Sequence, residues 1–226
     1  MDIPTHLHLG KMVRGVLNLI PKSHVTKVRS GVNKGARWVV GTSIHRCWLG
    51  SYELDKQKLL NRLVKPGMTV WDVGANAGFY TLAFSKLVGP TGRVFAFEPL
   101  GDNIQKLNCH IRLNKLINTT VVQMALGDSS GLCGFDTGIS HQKGFLSRDR
   151  SDYLVPCLTA DDFLKIRPEA LPALLKIDIE GAESGMLEGA RAFLTEHRPA
   201  LLLALHGQDQ VERCYRILGE IGYFVS

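Results

Sequence analysis

The stretch 71-WDVGANAGFYTLAF-84 decides how the rest of the chain is read. A short apolar run ends at an acid, Asp72. A loop of small residues follows, holding Gly74, Asn76 and Gly78. Apolar residues then recur at helical spacing from Phe79 onward. Strand, tight loop and helix in this order form the first unit of a parallel α/β sheet, and ligands of such sheets bind beyond the carboxyl ends of the strands. Gly74 and Gly78 lack a Cβ, so the backbone turns tightly and a ligand comes close. The spacing is G-x-x-x-G, whereas a dinucleotide loop reads G-x-G-x-x-G. With Asp72 just ahead of the loop, a pyrophosphate is disfavoured and a cationic ligand is favoured.

Outward from this loop, strands and helices alternate. The apolar run 93-RVFAF-97 predicts a second strand, 102-DNIQKLNCHIRLNKL-116 a helix and 119-TTVVQMAL-126 a third strand. Two segments around residues 132–138 and 153–159 read as an antiparallel excursion. After it come a strand in 171-LPALLKIDIE-180, a helix in 184-SGMLEGARAFLTEH-197, a strand in 199-PALLLALH-206, a helix in 209-DQVERCYRILGEIG-222 and a last strand at 223–226. Strands nearly continuous in apolar residues, such as LLKIDI and ALLLAL, suit a sheet buried on both faces. The expected fold class is therefore α/β and Rossmann-like, a mostly parallel sheet with helices on both faces.

The N-terminal region differs. Residues 1–50 carry eight Lys or Arg and one acid, whereas the other 176 residues carry 19 basic and 20 acidic side chains. The chain's net charge of +6 is thus an N-terminal property. Leu9, Met12, Val13, Val16, Leu17 and Ile20 share one helical face, and residues 25–40 read as two short strands about a Gly and Asn turn. We expect a basic extension over 1–50, with a helix and a β-hairpin, ahead of a ligand-binding domain over 51–226. The basic segment fits an anionic surface, a phosphorylated substrate, nucleic acid or plain solvent. The amphipathic face makes a homodimer an open expectation. Five scattered cysteines without CxxC spacing suggest neither a zinc site nor a disulfide framework; with no signal-peptide pattern and no bilayer-length apolar run, the expected location is cytoplasmic.

Glu98 ends the second strand, where an acid accepts hydrogen bonds from both hydroxyls of a ribose. Ribose, a cationic end and no pyrophosphate describe S-adenosylmethionine, whose amino group would reach Asp72 directly or through water.

Together 71-WDVGANAGFYT-81, 94-VFAFEP-99, 121-VVQMALGD-128 and 176-KIDIEGAE-183 resemble, in this order, the FkbM-type methyltransferase family, as does the upstream 48-WLGSYE-53. The resemblance runs over roughly residues 35–225. It implies the class I methyltransferase fold, S-adenosylmethionine as methyl donor, and transfer to hydroxyl oxygens of sugars, polyketides and other small molecules. By this resemblance Asp72, Gly74, Asn76 and Gly78 line the methionine end, Glu98 holds the ribose, Ala125 and Leu126 flank the adenine, and Tyr52 and Glu53 cover the cofactor. Two departures stand out. Ala204 occupies a position where the family pattern has an acid, and the sequence closes at YFVS, without the hairpin that normally finishes this fold.

Transfer of a methyl group to a hydroxyl needs in-line alignment and a base within hydrogen-bond reach. The expected catalytic residues are Asp178 and Glu180, at the end of the fourth strand, and His206, at the end of the fifth, an imidazole suited to accept a proton at neutral pH. Each has a plainer reading: Asp178 as a turn cap, His206 as a satisfied loop histidine, and Glu183 as a helix N-terminal acid. Asp178, Glu180 and Glu183 could gather a divalent cation, but three acids close in sequence do not guarantee converging oxygens, and no metal is assigned here. The expected acceptor is a small-molecule or glycan hydroxyl. A nucleic-acid methyltransferase, a non-catalytic protein on the same fold and a nicotinamide enzyme are the alternatives. The first lacks a DPPY-like motif and a recognisable RNA module, and the last lacks the glycine pattern.

Overall fold

The computed structural model describes residues 15–136, 145–147 and 153–224. An antiparallel pair opens it, β1 (Val25–Lys27) and β2 (Arg37–Val39). Helices α1 (His45–Leu49) and α2 (Leu54–Leu63) follow. The alternating part then runs β3 (Thr69–Val73), α3 (Phe79–Val88), β4 (Arg93–Phe97), α4 (Gly101–Asn114) and β5 (Thr119–Val122). A smaller sheet comes from β6 (Ala125–Leu126), β7 (Gly131–Asp136), β8 (Phe145–Ser147) and β9 (Tyr153–Leu158). The chain continues through α5 (Ala160–Ile166), β10 (Leu174–Ile177), α6 (Glu183–Glu188), α7 (Arg191–His197), β11 (Ala200–Leu203) and α8 (Gln208–Glu220).

The large sheet has the order β11-β10-β3-β4-β5 and is parallel throughout. Its strand order reverses between β3 and β10, which places the switch-point crevice at the carboxyl ends of these two strands. Residues of β3 alternate between two cores. Trp71 and Val73 face a cluster with Phe163, Met186, Phe193 and Ile217, whereas Val70 packs with Leu60, Phe79, Phe84 and Trp38 on the other side. The segment 28–48 enters that second core through Val28, Trp38, Val40 and Trp48, so the basic N-terminal region shares a hydrophobic core with α2 and α3.

Several elements depart from the sequence expectation. The run 119–126 is divided: β5 belongs to the large sheet, and β6 pairs with β9 in the small one. The single helix expected over 184–197 breaks after Gly189. A Cβ on Gly189 would lie 2.0 Å from the Gly127 carbonyl oxygen, and the Asp161 carboxylate caps a fresh start by accepting from the N–H groups of Ala192 and Phe193. Helices α1 and α5 have no counterpart in the sequence reading. Of the expected N-terminal helix, residues 15–18 are helical, and the face from Leu9 to Val13 lies outside the described residues. No strand forms at Tyr223 and Phe224: the Tyr223 hydroxyl donates to the Pro199 carbonyl at 3.0 Å, and Phe224 is exposed.

Candidate functional site

The loop after β3 is held by its own backbone. The N–H groups of Gly74 and Ala75 both donate to the Phe97 carbonyl, each at 3.0 Å. Gly74 has φ +81°, and a Cβ there would sit 2.0 Å from the Asp178 carbonyl oxygen. This glycine therefore lets the ends of β3 and β10 touch. Asn76 takes the left-handed conformation, with φ +48°, and its side-chain oxygen accepts from the Ala77 N–H at 2.7 Å. Its own N–H donates to Glu98 Oε2 at 2.8 Å. Glu98 Oε1 accepts from the Leu100 N–H at 3.0 Å and the Asn103 amide at 3.3 Å. Burial pushes the Glu98 carboxyl up, against the bonds from Leu100 and Asn76. The result is a fixed carboxylate whose Oε2 keeps acceptor capacity toward a ligand.

Parallel register sets Lys176 of β10 opposite Asp72 of β3 on the face that α3 covers. Both side chains are buried. Asp72 Oδ2 accepts from the Thr81 hydroxyl at 2.6 Å, and Oδ1 lies 3.5 Å from Lys176 Nζ. The same ammonium is 3.4 Å from Asp178 Oδ2 and 4.8 Å from the centre of the Tyr80 ring. Burial alone would lower the Lys176 pKa, but Asp72 and then Asp178 outweigh it and hold it above the ordinary lysine value. Burial raises the Asp72 carboxyl, against Lys176 and the Thr81 hydroxyl. For Asp178, burial is outweighed by Lys176, then His206 and Lys56, and its carboxyl falls below the usual range. The Tyr80 hydroxyl donates to Glu53 Oε2, and Glu53 Oε1 accepts from Lys56 at 2.7 Å.

Beyond β10 the chain turns sharply, with Glu180 at φ +53° and Gly181 at φ +102°. Glu183, fully buried, holds this turn: both its oxygens accept from the Gly181 N–H at 3.1 Å. Its Oε1 also lies 2.8 Å from His206 Nδ1. A carboxylate only accepts, so Nδ1 carries the proton. His206 Nε2 then faces Asp178 Oδ1 and Glu180 Oε2, each 3.6 Å away.

The loop after β3, Glu98, Tyr80, Lys176, Asp178 and Glu180 border one cavity of about 340 Å³. Its floor is the loop 73–77 with Phe97 and Glu98. One side is Met124, Ala125 and Leu126, another is Lys176, Asp178 and Glu180. The remaining wall comes from the N-terminal region: Trp38, Ser43, Ile44, Cys47 and Tyr52. The Trp38 ring stacks on His110 with centroids 3.9 Å apart, and its indole nitrogen has no partner among the described residues.

A family model for the methyltransferase FkbM domain matches residues 72–225, which includes every strand of the large sheet but the first residues of β3. The chain belongs to the FkbM methyltransferase family. Among solved structures, an FkbM methyltransferase from Methylobacillus flagellatus KT is 24% identical, with a TM-score of 0.52, over 68% of this chain and 37% of its own. A precorrin-6y C5,15-methyltransferase from Geobacter metallireducens GS-15 is 15% identical, with a TM-score of 0.51, over 77% of this chain and 74% of its own. Both likenesses show the fold. A ribosomal RNA large subunit methyltransferase E from Nitrosomonas eutropha is 42% identical over 50 residues, 22% of this chain. The chain thus spans 24% of the length of that relative and 37% of the FkbM structure. Membership in this family makes S-adenosylmethionine the cofactor, and the cavity suits it, with a fixed carboxylate at Glu98 and further carboxylates at the opposite end.

Of the residues expected at the site, Gly74, Asn76, Glu98, Ala125, Leu126, Asp178 and Glu180 of the FkbM domain line the cavity, as does Tyr52 ahead of it. The others stand behind its wall. Asp72 is covered by Lys176 and Thr81, a Cβ on Gly78 would lie 2.6 Å from a Leu107 methyl carbon, Glu53 holds the Tyr80 hydroxyl, and His206 stands behind Asp178 and Glu180. Sequence reasoning missed Lys176, although a charged residue inside the apolar run LLKIDI was a usable signal. It also missed Met124, Asn103 and the wall from Trp38 to Cys47, where no local pattern marks proximity to the loop.

Proposed function

We propose that this chain transfers a methyl group from S-adenosylmethionine to a hydroxyl oxygen of a small molecule or glycan. The observation that supports this reading best is the pair of carboxylates Asp178 and Glu180 at the end of the cavity opposite Glu98, with His206 behind them. Bound S-adenosylmethionine supplies an activated methyl group. Glu98 Oε2 would accept from the ribose, and Ala125 and Leu126 would bracket the adenine. Lys176, fixed between Asp72 and Asp178, keeps the methionine end polar and ordered. Held by Glu98, Ala125 and Leu126, the cofactor would give its methyl group to an acceptor oxygen and leave as the neutral thioether. The hydroxyl proton leaves toward the Asp178, Glu180 and His206 end. Tyr52 and the segment 38–47 exclude water, which aligns donor and acceptor and protects the sulfonium. We place the chain in the cytoplasm, with its five thiols free, and no described helix is long and apolar enough to cross a membrane.

Thermal denaturation with S-adenosylmethionine, S-adenosylhomocysteine and NAD tests the cofactor. At a hundred times its dissociation constant a ligand adds about 2.7 kcal/mol of stability. The two adenosyl ligands should stabilise the fold, NAD should not, and Glu98→Ala should abolish the effect. Labelled cofactor offered with hydroxylated small molecules, oligosaccharides or RNA then tests the acceptor. Label transferred to RNA alone would refute the small-molecule reading and favour a role for the basic residues before position 50.

A further inference from the structure

Asp178 Oδ1, Glu180 Oε2 and His206 Nε2 converge behind the turn that follows β10. With the Nδ1–H directed to Glu183, the neutral form of His206 would offer Nε2 as a ligand atom beside two carboxylate oxygens, each 3.6 Å away. Were Nε2 protonated instead, its 3.6 Å distances to Asp178 and Glu180 would exceed a hydrogen bond to either. One ligand atom from each residue lies within 4.8 Å of the others. Ligand atoms bonded at about 2.1 Å to a common ion lie roughly 3 to 4.3 Å apart, so closing on one ion requires shifts of about half an ångström to an ångström.

The support behind these atoms has the form of a metal site. His206 is oriented by a fully buried carboxylate, the arrangement that fixes the tautomer of a ligating imidazole and raises its basicity. The same Glu183 pins the turn that carries Glu180. Asp178 is anchored by Lys176 through its other oxygen, Oδ2, which leaves Oδ1 directed at the gap.

We propose that Asp178 Oδ1, Glu180 Oε2 and His206 Nε2 bind one divalent cation at the acceptor end of the cavity. Two carboxylates and one imidazole suit Mn²⁺ or Zn²⁺ over Ca²⁺, which prefers six to eight oxygens. This assignment rests on the methyltransferase reading for its purpose: open coordination positions take the acceptor hydroxyl, whose proton becomes more acidic and passes to a carboxylate or water. His206 then serves as a ligand, and Glu183 as its positioning residue.

Titration of the full chain with MnCl₂, followed by the electron paramagnetic resonance of the free ion, tests the site without any turnover. One saturable site per chain is expected, displaced by ZnCl₂. Glu180→Gln and His206→Gln, both partly exposed positions, should weaken it at least tenfold, and Glu183→Gln about tenfold or more. Binding of S-adenosylmethionine by the wild type is measured separately by calorimetry. Absence of saturable Mn²⁺ binding, or equal affinity in the wild type and the Glu180 and His206 variants, overturns the metal site. If S-adenosylmethionine binds under those conditions, the methyltransferase reading survives that result; if S-adenosylmethionine fails to bind, the methyltransferase reading fails by itself.

Discussion

Lys176→Met offers a direct test of the buried network beneath the site. The substitution keeps most of the side-chain volume and removes the ammonium that Asp72 and Asp178 share. Asp72 is fully buried, so its carboxylate loses its one cation with no access to water. Breaking a buried pair by removing one partner costs about 3–5 kcal/mol. The contacts here, 3.5 Å and 3.4 Å, are longer than a tight charge-assisted bond, which places the expected loss near the lower end, about 3 kcal/mol. For a chain of this size, that moves the urea midpoint down by about 1 M. Burial already raises the Asp72 carboxyl, and without Lys176 it rises further. A group with a raised native pKa favours the folded state below its unfolded pKa and loses that contribution as pH rises. The deficit of Lys176→Met should therefore be larger at pH 7.5 than at pH 5. Adding Asp72→Asn should restore part of the loss, because the double variant no longer buries the Asp72 charge. Urea titrations of the single and double variants decide the matter. A loss below 1 kcal/mol at pH 7.5, or a double variant no more stable than Lys176→Met, would refute the reasoning.

Two further perturbations probe the scaffold. His110 is buried, and burial lowers its pKa to about 4, against a bond to the Ala77 carbonyl. The unfolded chain takes up this proton below about pH 6.5 while the folded chain resists, so stability should fall by about 3 kcal/mol between pH 6.5 and 4. Urea midpoints across that window should flatten in His110→Gln, and an unchanged slope would remove His110 as the cause. Gly74→Ala sets a Cβ 2.0 Å from a backbone oxygen at φ +81°, whereas Gly35→Ala, at φ +88°, meets nothing within 4 Å. We expect a loss of about 1 kcal/mol for Gly35→Ala and at least 2 kcal/mol more for Gly74→Ala, the latter with loss of cofactor stabilisation. Similar melting temperatures for the two variants would show that the β3–β10 approach is slack.

The fold was legible where periodicity is strong. β3, β4, β10 and β11 and helices α3, α4 and α8 stand where apolar spacing and Gly punctuation put them. The glycines of the first loop were legible as a close approach, but what approaches Gly74 in the structure is the Asp178 backbone. The break ahead of helix α7 was hidden because its cap, Asp161, comes from a distant helix. The division of 119–126 was hidden because pairing with β9 is a long-range event.

What the sequence determined by itself is a local matter: a strand ending in Asp72, a glycine loop, a helix, and acids at strand ends. These follow from backbone sterics and from burial patterns a few residues long. Register lay beyond it. Only the pairing of β3 with β10 sets Lys176 opposite Asp72 on the α3 face, and a one-residue slip of β10 would turn Lys176 to the other face. The wall from Trp38 to Tyr52, and the meeting of His206 with Glu183, Asp178 and Glu180, likewise depend on contacts between residues far apart in the chain. Those contacts arise when separate apolar faces find a common core, and nothing in the local pattern names the partner.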